Sequence, residues 1–242
     1  MTRDHRRHGK LSHKTLRAGN RVNGGEGKLR KILYWTVITV LLLALSIVGL
    51  VFWGMRPTTG KQIEKYADPR PALLVIDIQE DYTGPKAKKP YRDGDRIVAI
   101  SNALLAQAQA RGAVVVYIQN VIHSPIMSAL TGGVNLPGAP GTEMDRRLLK
   151  VPTAMTFAKT RSDAFSNPEL DAYLRAKHVD RLWLTGLDGA YCVDATARGA
   201  LNRGYKVTLF RDGIATESYK KIEDLVKSWR EAGAEVKTGS QL

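Results

Sequence analysis

From Ile32 to Met55 the chain runs for 24 residues without a charge, ILYWTVITVLLLALSIVGLVFWGM, between Lys31 and Arg56. Coiled as a helix, a run of that length reaches about 36 Å, enough to cross a hydrocarbon core about 30 Å thick. Tyr34, Trp35, Phe52 and Trp53 lie near its two ends, as aromatic rings do at headgroup level. A cleaved signal peptide would have a shorter apolar core and a small-residue cleavage site, and neither is evident. The run therefore reads as an uncleaved transmembrane signal anchor, residues 32–55, with the lipid bilayer as its partner. It separates a tail, residues 1–31, from everything that follows.

The net charge of +14 is concentrated in that tail, since ten of the 37 basic residues lie in Met1–Lys31 against only Asp4 and Glu26. The tail has no apolar periodicity and is expected to be disordered. Its positive charges outweigh Arg56, Lys61, Lys65 and Arg70 beyond the span, so the positive-inside rule places the N-terminus in the cytoplasm and the rest outside. Specific nucleic-acid binding would call for aromatic or Arg-rich features in the folded part, and these are missing. The single cysteine excludes an internal disulfide framework and a cysteine-cluster metal site.

Arg56–Arg70, with Pro57, Gly60 and Pro69, reads as a linker, and residues 71–242 as the folded domain. Ala72–Ile76 is a continuous apolar run suited to a strand buried on both faces of a parallel sheet, and it ends at Asp77. The polar loop DIQEDYTGPKAKKPY is expected to be mobile surface. Asp93–Arg111 carries a helical apolar stripe stopped by Gly112; Ala113–Ile118 is a second strand. Residues 119–150 are broken by Pro and Gly, with one short helix expected around Glu143–Leu149, and a connection this long usually serves as a lid or binding loop. Met155–Ala158 is a short strand running into Lys159. Asn167-Pro168-Glu169 starts a helix reaching about Lys177. A helix with Ile222, Leu225, Val226 and Trp229 on one face and a short strand at Glu235–Lys237 close the chain.

Leu182–Thr216 reads as strand, tight turn, helix, strand. Cys192 falls at or near the helix start, where backbone N–H groups and the helix dipole favour a thiolate. On this stretch alone it reads equally as a nucleophile or as a small buried hydrophobe. Alternating strands and helices imply an α/β, Rossmann-like three-layer domain, a mostly parallel sheet with helices on both faces. Asp77, Lys159 and Cys192 would then emerge from the ends of three strands, supplying the base, cation and nucleophile that acyl transfer requires.

Three segments carry a family likeness: LLVIDIQEDY, FAKTRSDAF and GLDGAYCVDATARGALNRGYKV. In order and placement they resemble the isochorismatase-like cysteine hydrolases, the superfamily that includes nicotinamidases and N-carbamoyl amidohydrolases, over most of Pro71–Leu242. The resemblance implies Cys192 as nucleophile, Asp77 as base and Lys159 as supporting cation. It also implies a cis peptide at Leu187–Asp188 and an oxyanion hole formed by the backbone N–H groups of Asp188 and Cys192. Retention of Cys192 favours C–N bond hydrolysis of a small amide or carbamoyl compound over isochorismate chemistry. Nicotinamidases usually carry an Asp and His metal cluster, whereas the folded domain here has only His123 and His178, so no metal and no cofactor is expected. Tyr82, Phe165, Tyr191 and His123 are candidates to line the substrate pocket; His178, at a helix-to-strand junction, is expected to be structural. Relatives are often dimers or tetramers, and the anchor permits either. The alternative reading is a membrane-tethered binding or scaffold protein that keeps the fold without turnover.

Overall fold

The computed structural model describes residues 24–218 and 221–242. The chain divides into two compact units whose boundary, Gly49/Leu50, lies within the first helix. That helix, α1, spans Gly24–Met55, and its Gly27–Met55 portion is long and apolar enough to cross a membrane. The helix begins earlier than the uncharged run. Lys28, Leu29, Arg30 and Lys31 are good helix formers that extend an already nucleated helix at little cost. Gly24–Lys31 is thus helical rather than disordered, and the remainder of the basic tail lies outside the described residues.

The second unit is built on six parallel strands: β1 (Arg70–Ile76), β2 (Val114–Asn120), β3 (Met155–Lys159), β4 (Val179–Gly186), β5 (Lys206–Ile214) and β6 (Glu235–Lys237). Their order across the sheet is β3-β2-β1-β4-β5-β6. Chain direction across the sheet therefore reverses between β1 and β4, and ligands in such sheets bind beyond the carboxyl ends of the strands at that point.

The β1 run is apolar throughout because both of its faces are covered. Ala72, Leu74 and Ile76 point into a core formed with α4 (Pro168–Ala176), α5 (Cys192–Leu201) and α6 (Ile222–Glu231). Leu73 and Val75 point into the opposite core, packed by α2 (Gly94–Ala110) through Ile97, Leu104 and Leu105. The central strands β1 and β4 approach so closely that Gly186, at φ +126°, could not carry a Cβ; one would fall 2.0 Å from the carbonyl oxygen of Ile76.

Three local expectations are corrected. No helix forms at Glu143–Leu149, because Asp145 is held by Arg147 and Thr83 and Met144 bridges Gln79; the short helix of this segment is instead α3, Pro125–Thr131, capped by Ser124. The start of the loop after β1 is core rather than loose surface: Asp77, Ile78, Gln79, Asp81 and Thr83 are all buried. Finally, Arg56–Pro69 docks on the domain. Thr58 donates through both its N–H and its Oγ1 to Asp163 Oδ2, each at 2.6 Å, and Arg203 donates to the carbonyls of Thr58 and Thr59. Gly199 on α5 makes room for this, since a Cβ there would lie 2.2 Å from the same Asp163 oxygen.

Candidate active site

Asp77 is the first residue beyond β1 and takes φ +55°, a left-handed conformation that Asp tolerates better than most residues. Its N–H donates to Ile118 O at 2.9 Å, which turns the carboxylate over the strand ends. Lys159 ends β3 at the sheet edge, and its long stem reaches past β2. Cys192 is the first residue of α5, entering from the other side of the β1/β4 reversal. The three meet: Lys159 Nζ lies 2.8 Å from Asp77 Oδ2 and donates to Cys192 Sγ at 3.2 Å. Asp77 Oδ1 is buried and accepts no hydrogen bond.

Burial controls the charges here. Withdrawal from water raises the Asp77 carboxyl, while Lys159 pulls it back down. Burial works against the Lys159 ammonium, but Asp77 and Cys192 more than compensate and hold it charged. For Cys192, burial and the neighbouring Asp77 anion together outweigh Lys159, and the thiol is pushed up to about 12. The helix start was expected to favour a thiolate; at neutral pH the sulfur instead rests as a thiol beside the charged Lys159 ammonium. Partial withdrawal from water, together with the neighbouring Asp77, costs a sulfur anion more than the helix terminus returns.

The turn before Cys192 is all trans, so the expected cis bond at Leu187–Asp188 is absent. The Asp188 side chain holds this turn. Oδ1 accepts from Ala190 N and Thr216 Oγ1, and Oδ2 accepts from Tyr91 Oη and Glu217 N. Tyr191 N–H and Val193 N–H both donate to Asp188 O. Among the described residues, the N–H groups of Asp188 and Cys192 donate to no backbone or side-chain acceptor.

Gln79, two residues after Asp77, fastens the long 119–150 segment over the site. Its amide donates to the carbonyls of Asn120 and Thr142 and to Asn135 Oδ1, and it accepts from Asn120 N–H. Asn135 in turn donates to Tyr82 Oη at 2.7 Å, and its N–H donates to Asp81. The Gln was visible in the Asp-x-Gln motif; Asn135 gave no local signal, because its side-chain partners Gln79 and Tyr82 lie more than fifty residues away.

The pocket candidates separate. Tyr82 stands close enough to Asp77 and Cys192 for both to raise its phenol, after burial itself. His123 lines a cavity that also contains Cys192, and Tyr191, next to the cysteine, is partly exposed. Phe165 is a correction: it is buried in the core, its ring against Tyr205 with the Arg203 guanidinium over it. Its apolar ring is drawn under α5 by the short turn that Asp163 caps. Among the described residues no group of three or more His, Cys, Asp and Glu side chains could hold a metal ion. His178 stacks on Tyr66 just before β4, at the opposite end of the sheet, and Asp77 is engaged by Lys159, so the residues present do not fit an Asp and His metal cluster.

Residues 71–241 match the isochorismatase domain. The chain belongs to the isochorismatase family. It is 35% identical to a streptothricin hydrolase of Streptomyces noursei over 148 residues, which are 61% of this chain and 55% of that protein. The isochorismatase-family chain thus spans about half the length of that relative. It is 30% identical to the nicotinamidase of Escherichia coli, over 60% of this chain and 83% of the other. An isochorismatase-like hydrolase from Alkaliphilus metalliredigens superposes with a TM-score of 0.63 at 26% identity, covering 72% of this chain and 96% of that one.

Proposed function

We propose that this protein is a membrane-anchored cysteine hydrolase that cleaves the C–N bond of a small amide or carbamoyl compound through Cys192, Asp77 and Lys159. The observation that carries this reading is one ammonium in contact with both a buried carboxylate and the sole thiol. Relatives named as a hydrolase and an amidase support it.

The charges set the order of events. Because the resting sulfur is a thiol, its proton leaves as the S–C bond forms, and the unbonded Asp77 Oδ1 receives it. Lys159 stays charged and offsets the anion throughout. The carbonyl oxygen, now an oxyanion, takes hydrogen bonds from the idle N–H groups of Asp188 and Cys192; losing one such donor typically costs about 2.7–4 kcal/mol in the barrier. Asp77 passes its proton to the departing nitrogen, the C–N bond breaks, and a thioester remains. Water, deprotonated by Asp77, cleaves the thioester and restores the thiol.

The anchor reading rests on the uncharged run and its aromatic ends; the charge asymmetry supports a cytoplasmic N-terminus with the catalytic domain outside. Ammonia release from a panel of primary amides and N-carbamoyl compounds tests the chemistry, using the full chain in nanodiscs beside Cys192→Ala. Turnover that falls at least 1,000-fold in the variant is expected; turnover that survives the substitution would overturn the assignment. A C-terminal reporter active only in the cytoplasm would reverse the topology.

A further inference from the structure

Cys192 lies in the wall of a cavity of about 510 Å³, within the range of small-molecule pockets, roughly 300–1,000 Å³. One side of it comes from the last turns of α1, through Leu50, Val51, Trp53 and Met55, and the other includes Ile122 and Met127. The end of α1 is fastened in place by the residues directly after Lys159. Ser162 N–H donates to Gly54 O at 3.0 Å, and Arg161 Nη2 donates to the carbonyls of Trp53 and Arg56 at 2.8 and 3.1 Å. The Arg161 guanidinium also sits 4.1 Å from the Trp53 ring centroid.

The chemistry of the walls is one-sided. Among the described residues no Asp, Glu or Lys lines the cavity, and Arg161 spends its Nη2 on the carbonyls of the helix end. Polar groups enter the lining at Asn120, His123, Thr160 and Ser162, among walls that are otherwise largely apolar. From α3, Met127 and Thr131 line the cavity, and the helix buries none of its residues. Such walls offer much to a hydrocarbon tail.

We propose that the site takes an amide amphiphile, its carbonyl at Cys192 and an aliphatic or aromatic tail lying between the end of α1 and α3. This inference rests on the reading of Cys192 as the group that attacks the amide. The end of the anchor helix then doubles as a wall of the substrate pocket.

A labelling experiment tests it without requiring turnover, because the chain has one cysteine and intact mass reports on that residue alone. Full-length protein in nanodiscs is treated with iodoacetamide or with N-octyl iodoacetamide; in either case the sulfur displaces iodide and releases its proton to solvent. Each buried methylene multiplies affinity by roughly fourfold, so the octyl reagent is expected to label at least tenfold faster at sub-saturating concentration. Partitioning into the bilayer is common to all variants, so the octyl-to-plain ratio is compared in Ile122→Asp and in Met127→Asp, the latter on a helix without buried residues. A ratio that falls at least fivefold in a folded variant supports the tail pocket; a ratio unchanged in both overturns it. Ammonia release from acetamide and octanamide separates the two readings. Equal turnover of both overturns the amphiphile but leaves the amidase. Selective labelling with Cys192-independent turnover retains the pocket and overturns the amidase.

Discussion

Replacing Asp77 by Asn should move the two readouts of Cys192 in opposite directions. The thiol stands at about 12 against an ordinary 9.0, a difference worth about 4 kcal/mol and roughly a thousandfold in thiolate population. Burial contributes most of that, and the Asp77 anion adds to it while Lys159 opposes. Asn keeps the shape, removes the anion and leaves Lys159 to stabilise the thiolate alone. Two like charges about 4 Å apart at an effective dielectric of about 20 repel by about 4 kcal/mol. With the burial contribution untouched, a rise of ten- to a hundredfold in alkylation rate at pH 7.5 is expected. Hydrolysis should fall by at least a hundredfold, because the proton acceptor is gone. Iodoacetamide labelling from pH 5 to 9, followed by intact mass, measures the first; ammonia release measures the second. Alkylation that is unchanged or slower in Asp77→Asn would refute the account of why the resting sulfur is protonated.

Lys159→Met should do the reverse to the sulfur, slowing alkylation, and should also destabilise the domain by about 3–5 kcal/mol because a buried carboxylate loses its partner; denaturant midpoints would show it. The acid limb of kcat/KM should lie above the usual carboxylate value, because burial raises Asp77 and activity needs it ionised. Activity is then present above that raised pKa and lost as pH falls through it; a limb at or below 3.8 would remove Asp77 from the base role. Gly186→Ala should cost at least about 3 kcal/mol, combining positive-φ strain with a clash against Ile76 O, seen as a lowered urea midpoint. Thr58→Val should remove the hydroxyl's bond to Asp163 while leaving the N–H bond in place, at a cost of about 1.5–3 kcal/mol for one lost hydrogen bond to a charged group, with proteolysis between Arg56 and Arg70 speeding up.

What could be read from the chain was what is written locally. Ala72–Ile76 announces a central strand because both faces are buried, so no polar residue interrupts it. Asp77, Lys159 and Cys192 were legible because each ends or begins an element whose apolar pattern is strong. Gln79 and Asn135 hold the roof through partners far along the chain, and no spacing rule reports such contacts. Phe165 was misplaced for a related reason: an aromatic near a candidate site Lys looks like pocket lining until the core around Tyr205 is seen to need it. The connector was misread because Thr58 and Gly60 resemble any flexible joint, and only the distant Asp163 and Arg203 make it a fixed one.

The protonated state of Cys192 also bears on how long the protein keeps its one thiol. Peroxides and disulfides attack the thiolate form, and at neutral pH this sulfur is almost entirely protonated. With no second cysteine in the chain, an internal disulfide cannot form either. The charge arrangement that keeps this sulfur protonated thus also shields it from oxidants.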